Sequence, residues 1–225
     1  MLTFANREAL AKDLARNVAA ALSARLAVQV EAVLAVSGGS TPGLFFSELS
    51  KAALDWSRVA VTLVDERWVP ESSPRSNAAL VRRALLINNA AAARFLPLYN
   101  GAQTPEAGRA ALEAQLAQLP LSLAAVILGM GEDGHTASFF PGGDNLAAAL
   151  NPAQGQIVET MRAPGADEPR ITLTLPALIT ADLLALHIEG ERKREVLDQA
   201  LAQGPIEAMP VRAVLRHDPQ IYWSP

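Results

Sequence analysis

The chain has 225 residues, half of them hydrophobic, with 19% charged and a formal net charge of −4. That is enough apolar material for a full core, without the basic surplus that nucleic acid or an anionic membrane would call for. With no cysteine, disulfides, thiolate nucleophiles and Cys-ligated zinc are excluded together. No apolar run approaches the roughly 18 residues of a membrane span. Arg7, Glu8, Lys12, Asp13 and Arg16 interrupt any signal-peptide core. The expectation is a soluble cytoplasmic protein.

Leu10, Leu14, Val18, Leu22 and Leu26 recur every four residues and predict an amphipathic helix from about Asn6 to Ala27. Ala32 to Val36 reads as a short strand ending in Ser37, Gly38, Gly39, Ser40, Thr41 and Pro42. Thr41 as N-cap and Pro42 at the first helical position predict a helix to about Ala53. A strand, a Gly-rich turn and a helix start together admit an anion to free N–H groups; a simple tight turn accounts for the pattern equally well. It is not a Walker A loop, because no Gly-Lys-Ser/Thr follows.

Val59 to Val64 predicts a second strand, ending in Asp65, Glu66, Arg67 and Trp68. That cluster is either a solvated loop with an Asp–Arg pair or a group facing a site. Pro70, Ser72, Ser73 and Pro74 predict a loop, and Asn77 to Leu86 a helix. Phe95 to Leu98 is a short strand that Pro97 places at an edge or at its end. Thr104, Pro105 and Glu106 open a helix to about Leu119.

Leu123 to Leu128 is a buried strand that delivers Gly129, Met130, Gly131, Glu132, Asp133, Gly134 and His135. In open α/β sheets such a loop, at a strand's carboxyl end, is where ligands bind. His135 is one of three histidines, and Asp133 is spaced to orient its ring. Gly131 and Gly134 are read as allowing unusual backbone angles there. A satisfied structural histidine is the alternative. Gly129, Gly131 and Gly134 match G-x-G-x-x-G, but Pro141, Gly142 and Gly143 come too soon for a long helix. Glu159, the acid at the right distance, falls inside a predicted strand, so no nicotinamide or flavin is expected. There is no G-x-S-x-G, and three separated histidines do not make a metal site. His187, in an apolar strand, reads as a core histidine and His217 as a turn residue.

Gln156 to Met161 and Arg170 to Leu175 predict strands, the second half-buried because Ile171, Leu173 and Leu175 alternate with Thr172 and Thr174. Pro176 starts a helical turn. Leu183 to Ile188 is another strand, ending in Glu189, Gly190, Glu191, Arg192 and Lys193 and leading into a helix to about Ala202. Val211 to Leu215 and a last strand near Ile221 to Trp223 close the chain. Strands alternating with helices imply an α/β fold with a largely parallel sheet and helices on both faces, in one domain over 1–225.

Five blocks in register carry a resemblance: Ser37 to Pro42, Asp65 to Trp68, Gly129 to Ser138 with Phe140 to Gly142, Arg170 to Leu173, and Gly190 to Lys193. In order and spacing the chain resembles the 6-phosphogluconolactonases, from its first helix to its last strand. The wider group to which these belong has a Rossmann-like α/β fold and includes glucosamine-6-phosphate deaminase. The deaminase carries a Glu five residues after the His of its Asp-Gly-His, where this chain has Phe140, and tends to read Asp-Glu-Tyr where this chain has Asp65, Glu66 and Arg67.

The resemblance implies hydrolysis of 6-phospho-D-glucono-1,5-lactone, a step of the oxidative pentose phosphate pathway, with no cofactor and no metal. The implied base is His135, steadied by Asp133. Gly38, Gly39, Ser40, Thr41 and Lys193 are implied to hold the 6-phosphate. Arg67 and Arg170 serve the phosphate, the carbonyl oxygen or the sugar hydroxyls, and Asp65 positions Arg67 or a hydroxyl. The implied partner is a small sugar-phosphate lactone, with the chain a monomer or small homo-oligomer. A deaminase-like isomerase and a non-catalytic sugar-phosphate sensor are the competing readings.

Overall fold

The computed structural model describes residues 1–225 apart from Leu121 and Gln154. The chain opens with β1 (Leu2–Thr3) and α1 (Arg7–Val28). Asn6 caps α1 by accepting from the Ala9 N–H at 2.9 Å. There follow β2 (Ala32–Val36), α2 (Gly43–Leu49), β3 (Val59–Leu63), β4 (Asp65–Arg67), α3 (Asn77–Ala84), β5 (Arg94–Leu96) and α4 (Pro105–Leu116). The second half holds β6 (Ala125–Leu128), α5 (Leu146–Leu150), β7 (Val158–Met161), β8 (Arg170–Leu173), α6 (Leu175–Ile179), β9 (Leu183–Glu189), α7 (Glu191–Leu201), α8 (Val211–Leu215) and β10 (Gln220–Ser224). Among the described residues no helix is long and apolar enough to cross a membrane.

Seven strands, in the order β1-β10-β9-β6-β2-β3-β5, make one parallel sheet. Every residue of β2, β3 and β6 is buried, so both faces are covered, as a parallel sheet requires. The Rossmann-like reading and the edge position of β5 agree with this. A second sheet, β4-β8-β7, is antiparallel. Val64 joins the two: its N–H donates to Val36 O of β2 at 3.0 Å, and its carbonyl accepts from Leu173 of β8 at 2.8 Å.

Three local expectations are corrected. The helix after the glycine turn stops at Leu49, not near Ala53. The Ser50 carbonyl there accepts from Ala90, in a short 3-10 turn, and is lost to any further helical turn. Asp65 to Arg67 is a strand, not a loop, paired residue for residue with Thr172 to Arg170. β8 is fully buried rather than half-buried. Its threonine can face the interior because Thr172 Oγ1 donates to Val64 O and Leu173 O at 3.3 and 3.1 Å, which removes the cost of burying a hydroxyl.

Glu66 ties β4 to α3. Its carboxylate is wholly buried and accepts from the backbone N–H groups of Arg67, Asn77 and Ala78, each at 2.8 Å, and from Ser76 Oγ at 3.1 Å. Burial pushes its pKa up, against the pull of those N–H donors. Glu66→Ala would strand three N–H groups and a hydroxyl, an expected loss of about 3 kcal/mol or more and a Tm drop of roughly 6–12 °C for a chain of this size. A thermal melt followed by circular dichroism tests this; a Tm within about 2 °C of wild type would show that the carboxylate does not hold this junction.

Candidate active site

β2 and β6 are neighbours at the point where the strand order reverses: β2 leads outward to β3 and β5, β6 the other way to β9 and β10. Loops leaving the carboxyl ends of two such strands diverge and leave a crevice. A cleft of about 220 Å³ lies there, lined by both loops, by β4 and β8, and by the start of α7.

The first loop carries Gly38, Gly39, Ser40 and Thr41. Gly39 has φ +91°, which favours glycine. Gly38 is needed for space, since a Cβ would lie 1.9 Å from Asn77 Oδ1. Thr41 is not the N-cap: Pro42 takes that place without a side-chain bond, and the Thr41 hydroxyl instead accepts from Lys193 Nζ at 3.2 Å. Burial lowers the Lys193 pKa, with the charges of Glu189 and Glu132 pulling it back up. Ser37 Oγ accepts from the Gly129 N–H at 3.1 Å and so ties the first loop to the second.

On the second loop, His135 Nδ1 lies 2.5 Å from Asp133 Oδ1, which also accepts from the His135 N–H at 3.1 Å. Burial raises the Asp133 carboxyl, but the hydrogen bonds and charge of His135 outweigh it and hold the pKa below the usual value. With Nδ1 engaged, Nε2 is the nitrogen left to accept a proton. The loop is closed by Gly131 N–H to His135 O at 2.9 Å and anchored by Val211 N–H to Gly134 O at 2.9 Å. Gly134 has φ +79°, as expected; Gly131 has no positive φ. Its role is steric, because a Cβ there would sit 2.2 Å from the His135 ring and 2.7 Å from Asp133 Oδ1. Phe140 lies against two of these residues, its ring 4.4 Å from that of His135 and 5.4 Å from the Arg170 guanidinium.

The opposite wall is β4 and β8. Arg67 and Arg170 are direct cross-strand partners, an arrangement of like charges that costs stability unless something answers it. Asp65 answers in part: its Oδ2 accepts from Ser138 Oγ at 2.7 Å and lies 3.9 Å from Arg170 Nη1. Asp65 is therefore set on a hydroxyl and on Arg170, and not on Arg67, which donates to Arg75 O. Burial lowers the Arg170 pKa, and the charge of Arg67 lowers it further. Among the described residues the buried Nε atoms of both arginines have no partner, so each offers a donor that the fold leaves unused.

Gly38, Gly39, Ser40, Thr41, Asp65, Arg67, Gly131, His135, Arg170 and Lys193 thus line one cleft, with Asp133 behind His135. Sequence reasoning missed Asn77, which lines the cleft and donates to Asp65 O at 2.9 Å, and gave Phe140 only a negative role. His187 is buried as expected, but it is also part of the cleft wall. His217 is an exposed turn residue.

A model of the family described as glucosamine-6-phosphate isomerases/6-phosphogluconolactonase matches residues 5–223. The chain belongs to this family. Within it, the chain is 54% identical to a 6-phosphogluconolactonase of Rhizobium meliloti, over all of this chain and 98% of that protein. It is 52% identical to one of Mesorhizobium japonicum, over 99% and 94%. A crystal structure of a 6-phosphogluconolactonase from Shewanella baltica superposes with a TM-score of 0.96 at 40% identity, covering 99% of this chain and 96% of that one.

Gly131→Ala should push the His135 ring and Asp133 apart while leaving the Tm within a few degrees, seen as a change in the His135 ring nitrogen resonances. Unchanged resonances in a folded variant would show that the pair tolerates the methyl group.

Proposed function

We propose that this chain hydrolyses 6-phospho-D-glucono-1,5-lactone to 6-phospho-D-gluconate, and that His135 activates the water. The observation that carries the reading is the His135–Asp133 pair, with His135 on a cleft whose other walls hold Lys193 and two arginines that keep unused donors among the described residues. The relatives at 54% and 52% identity support the choice of reaction. Phe140, packed where the deaminases carry a Glu, supplies no carboxylate for amino-sugar chemistry and disfavours that alternative.

In this mechanism His135 Nε2 takes a proton from water as its oxygen bonds to the lactone carbonyl carbon. The carbonyl oxygen becomes anionic and meets guanidinium N–H groups of Arg67 and Arg170. The bond from that carbon to the ring oxygen then breaks, and the ring oxygen takes the proton back from the imidazolium to become a hydroxyl. Asp133, ionised at neutral pH, stabilises the imidazolium between the two transfers. The 6-phosphate sits on Lys193, Ser40, Thr41 and the N–H groups of the Gly38–Gly39 turn. Walls from both sheets make the site, so 1–225 is proposed to act as one unit. The absence of cysteine suits a cytoplasmic setting.

His135→Ala should lower kcat for freshly generated lactone, above its spontaneous hydrolysis, by about 10²–10⁴. Undiminished saturable turnover would remove His135 as the base; no turnover by wild type would remove the lactonase reading. Lys193→Ala should raise KM about tenfold or more, the worth of a bond to a charged group, with kcat little changed.

The lowered Lys193 pKa gives this seat a pH dependence with a definite sign. The lysine is charged below its lowered pKa and loses its charge as pH rises through it. Affinity for 6-phosphogluconate should therefore decline on the alkaline side earlier than an ordinary lysine would allow. Lys193→Arg should extend the plateau, as binding calorimetry across the alkaline range would show; superimposable profiles would free Lys193 from the seat.

A further inference from the structure

Behind the Lys193 end of the cleft, β9 carries a second histidine–carboxylate pair that the proposed hydrolysis does not use. His187 is 2% exposed, and its Nε2 lies 3.0 Å from Glu189 Oε1. Its ring stands edge-on to Phe45 of α2, centroids 6.2 Å apart at 82°. Arg7, at the start of α1, donates from Nε to Glu189 Oε2 at 2.5 Å. Burial raises the Glu189 carboxyl, but His187 and Arg7 outweigh it and keep the group ionised at neutral pH.

A buried histidine satisfied on both nitrogens would be a core residue and nothing more. His187 is not of that kind. It forms part of the cleft wall, in company with Thr41 and Lys193. With Nε2 on Glu189, Nδ1 is the ring nitrogen left for a ligand in that cleft.

We propose that His187 is a phosphate-binding residue whose imidazolium, held through Nε2–H by Glu189, donates Nδ1–H to the anion seated on Lys193 and the 37–42 loop. The charged and titratable groups around it are Glu189 on its own strand, Arg7 from α1, Lys193 from α7 and Tyr222, its neighbour on β10. Across the cleft stand His135, Asp65, Arg67 and Arg170. Arg7 and Glu189 cancel, which leaves Lys193 and a protonated His187 to match a dianion. A neutral ring, with its hydrogen on Nε2, would turn the Nδ1 lone pair toward the phosphate oxygens and repel them. Anion binding therefore draws a proton onto His187, and lowering the pH tightens binding. This inference rests on the reading of that loop and Lys193 as the phosphate seat.

Sulfate is the suitable probe, because it stays a dianion where a phosphate monoester itself titrates. A His135→Gln background removes the other cleft histidine. There, sulfate affinity measured by calorimetry should fall about tenfold between about pH 6 and pH 8, as loss of one charged histidine predicts. Adding His187→Gln, which still donates to Glu189, should weaken binding at about pH 6 by a similar factor and flatten the pH dependence to less than about twofold. With otherwise wild-type protein, His187→Gln should raise KM for the lactone and leave kcat within about twofold, the pattern of lost uniform binding.

The chain with His187 in place gives a second readout, since it has only three histidines. At about pH 7.5, saturating sulfate should move the His187 Nδ1 nitrogen resonance from the lone-pair to the N–H range. Equal pH slopes with and without His187, or an unmoved Nδ1 resonance, would overturn the role of His187 and leave the seat standing. No sulfate binding even at low pH would overturn the seat, and this inference with it.

Discussion

One peptide unit determines where the chemistry can happen. Val64 donates to β2 of the parallel sheet and accepts from β8 of the antiparallel one, so the chain passes from one sheet to the other without a loop. A loop at that point would place Asp65 and Arg67 loosely over the cleft. The strand pairing instead orients them by the alternation of the pleat, and brings Arg170 opposite Arg67 in fixed register. The two loops that face them follow the ordinary rule that loops at the carboxyl ends of parallel strands diverge at the switch point, and Asn77 of α3, His187 of β9 and Lys193 of α7 complete the lining.

That pairing sets two guanidinium groups side by side in a buried place, and the fold answers them incompletely. Asp65 takes one share and Phe140 lies against the Arg170 guanidinium. The buried Nε atoms keep no partner among the described residues. A core under selection for stability alone would pair them or exclude them. A site that must meet oxygen atoms of a ligand keeps donors aimed and unspent. Glu66, by contrast, shows what a satisfied buried charge looks like in the same strand, with four donors around one carboxylate.

The two histidine–carboxylate pairs share a chemical form and differ in placement. His135 sits with Asp133 on a loop that lines the cleft, part-exposed. His187 sits with Glu189 inside a strand, at the back of the cleft. Proton transfer to water suits the first position. A fixed donor to an anion suits the second.

Much of this was legible in the residues. Four-residue spacing of leucines located α1, glycine turns after apolar runs located the loops, and Asp133 two residues before His135 marked the candidate base, because these signals are local and their physics is local. What stayed hidden depended on contacts between distant segments. Thr41 looks like a helix cap until Lys193, far along the chain, claims its hydroxyl. Gly131 looks like a residue chosen for backbone freedom until the His135 ring is found where its side chain would be. Arg67 and Arg170 are separate cations in the sequence, and only the register of β4 on β8 makes them a pair. His187 reads as core because its strand is apolar; that the cleft reaches it is decided by Phe45, Lys193 and the loop after β2. The sequence by itself determined the family, most of the strands and helices in their order and the identity of the candidate groups, but not β1, β4 or α5. Tertiary structure alone decided which of those groups face one another, since that follows from packing and register across the chain, and no spacing within it encodes them.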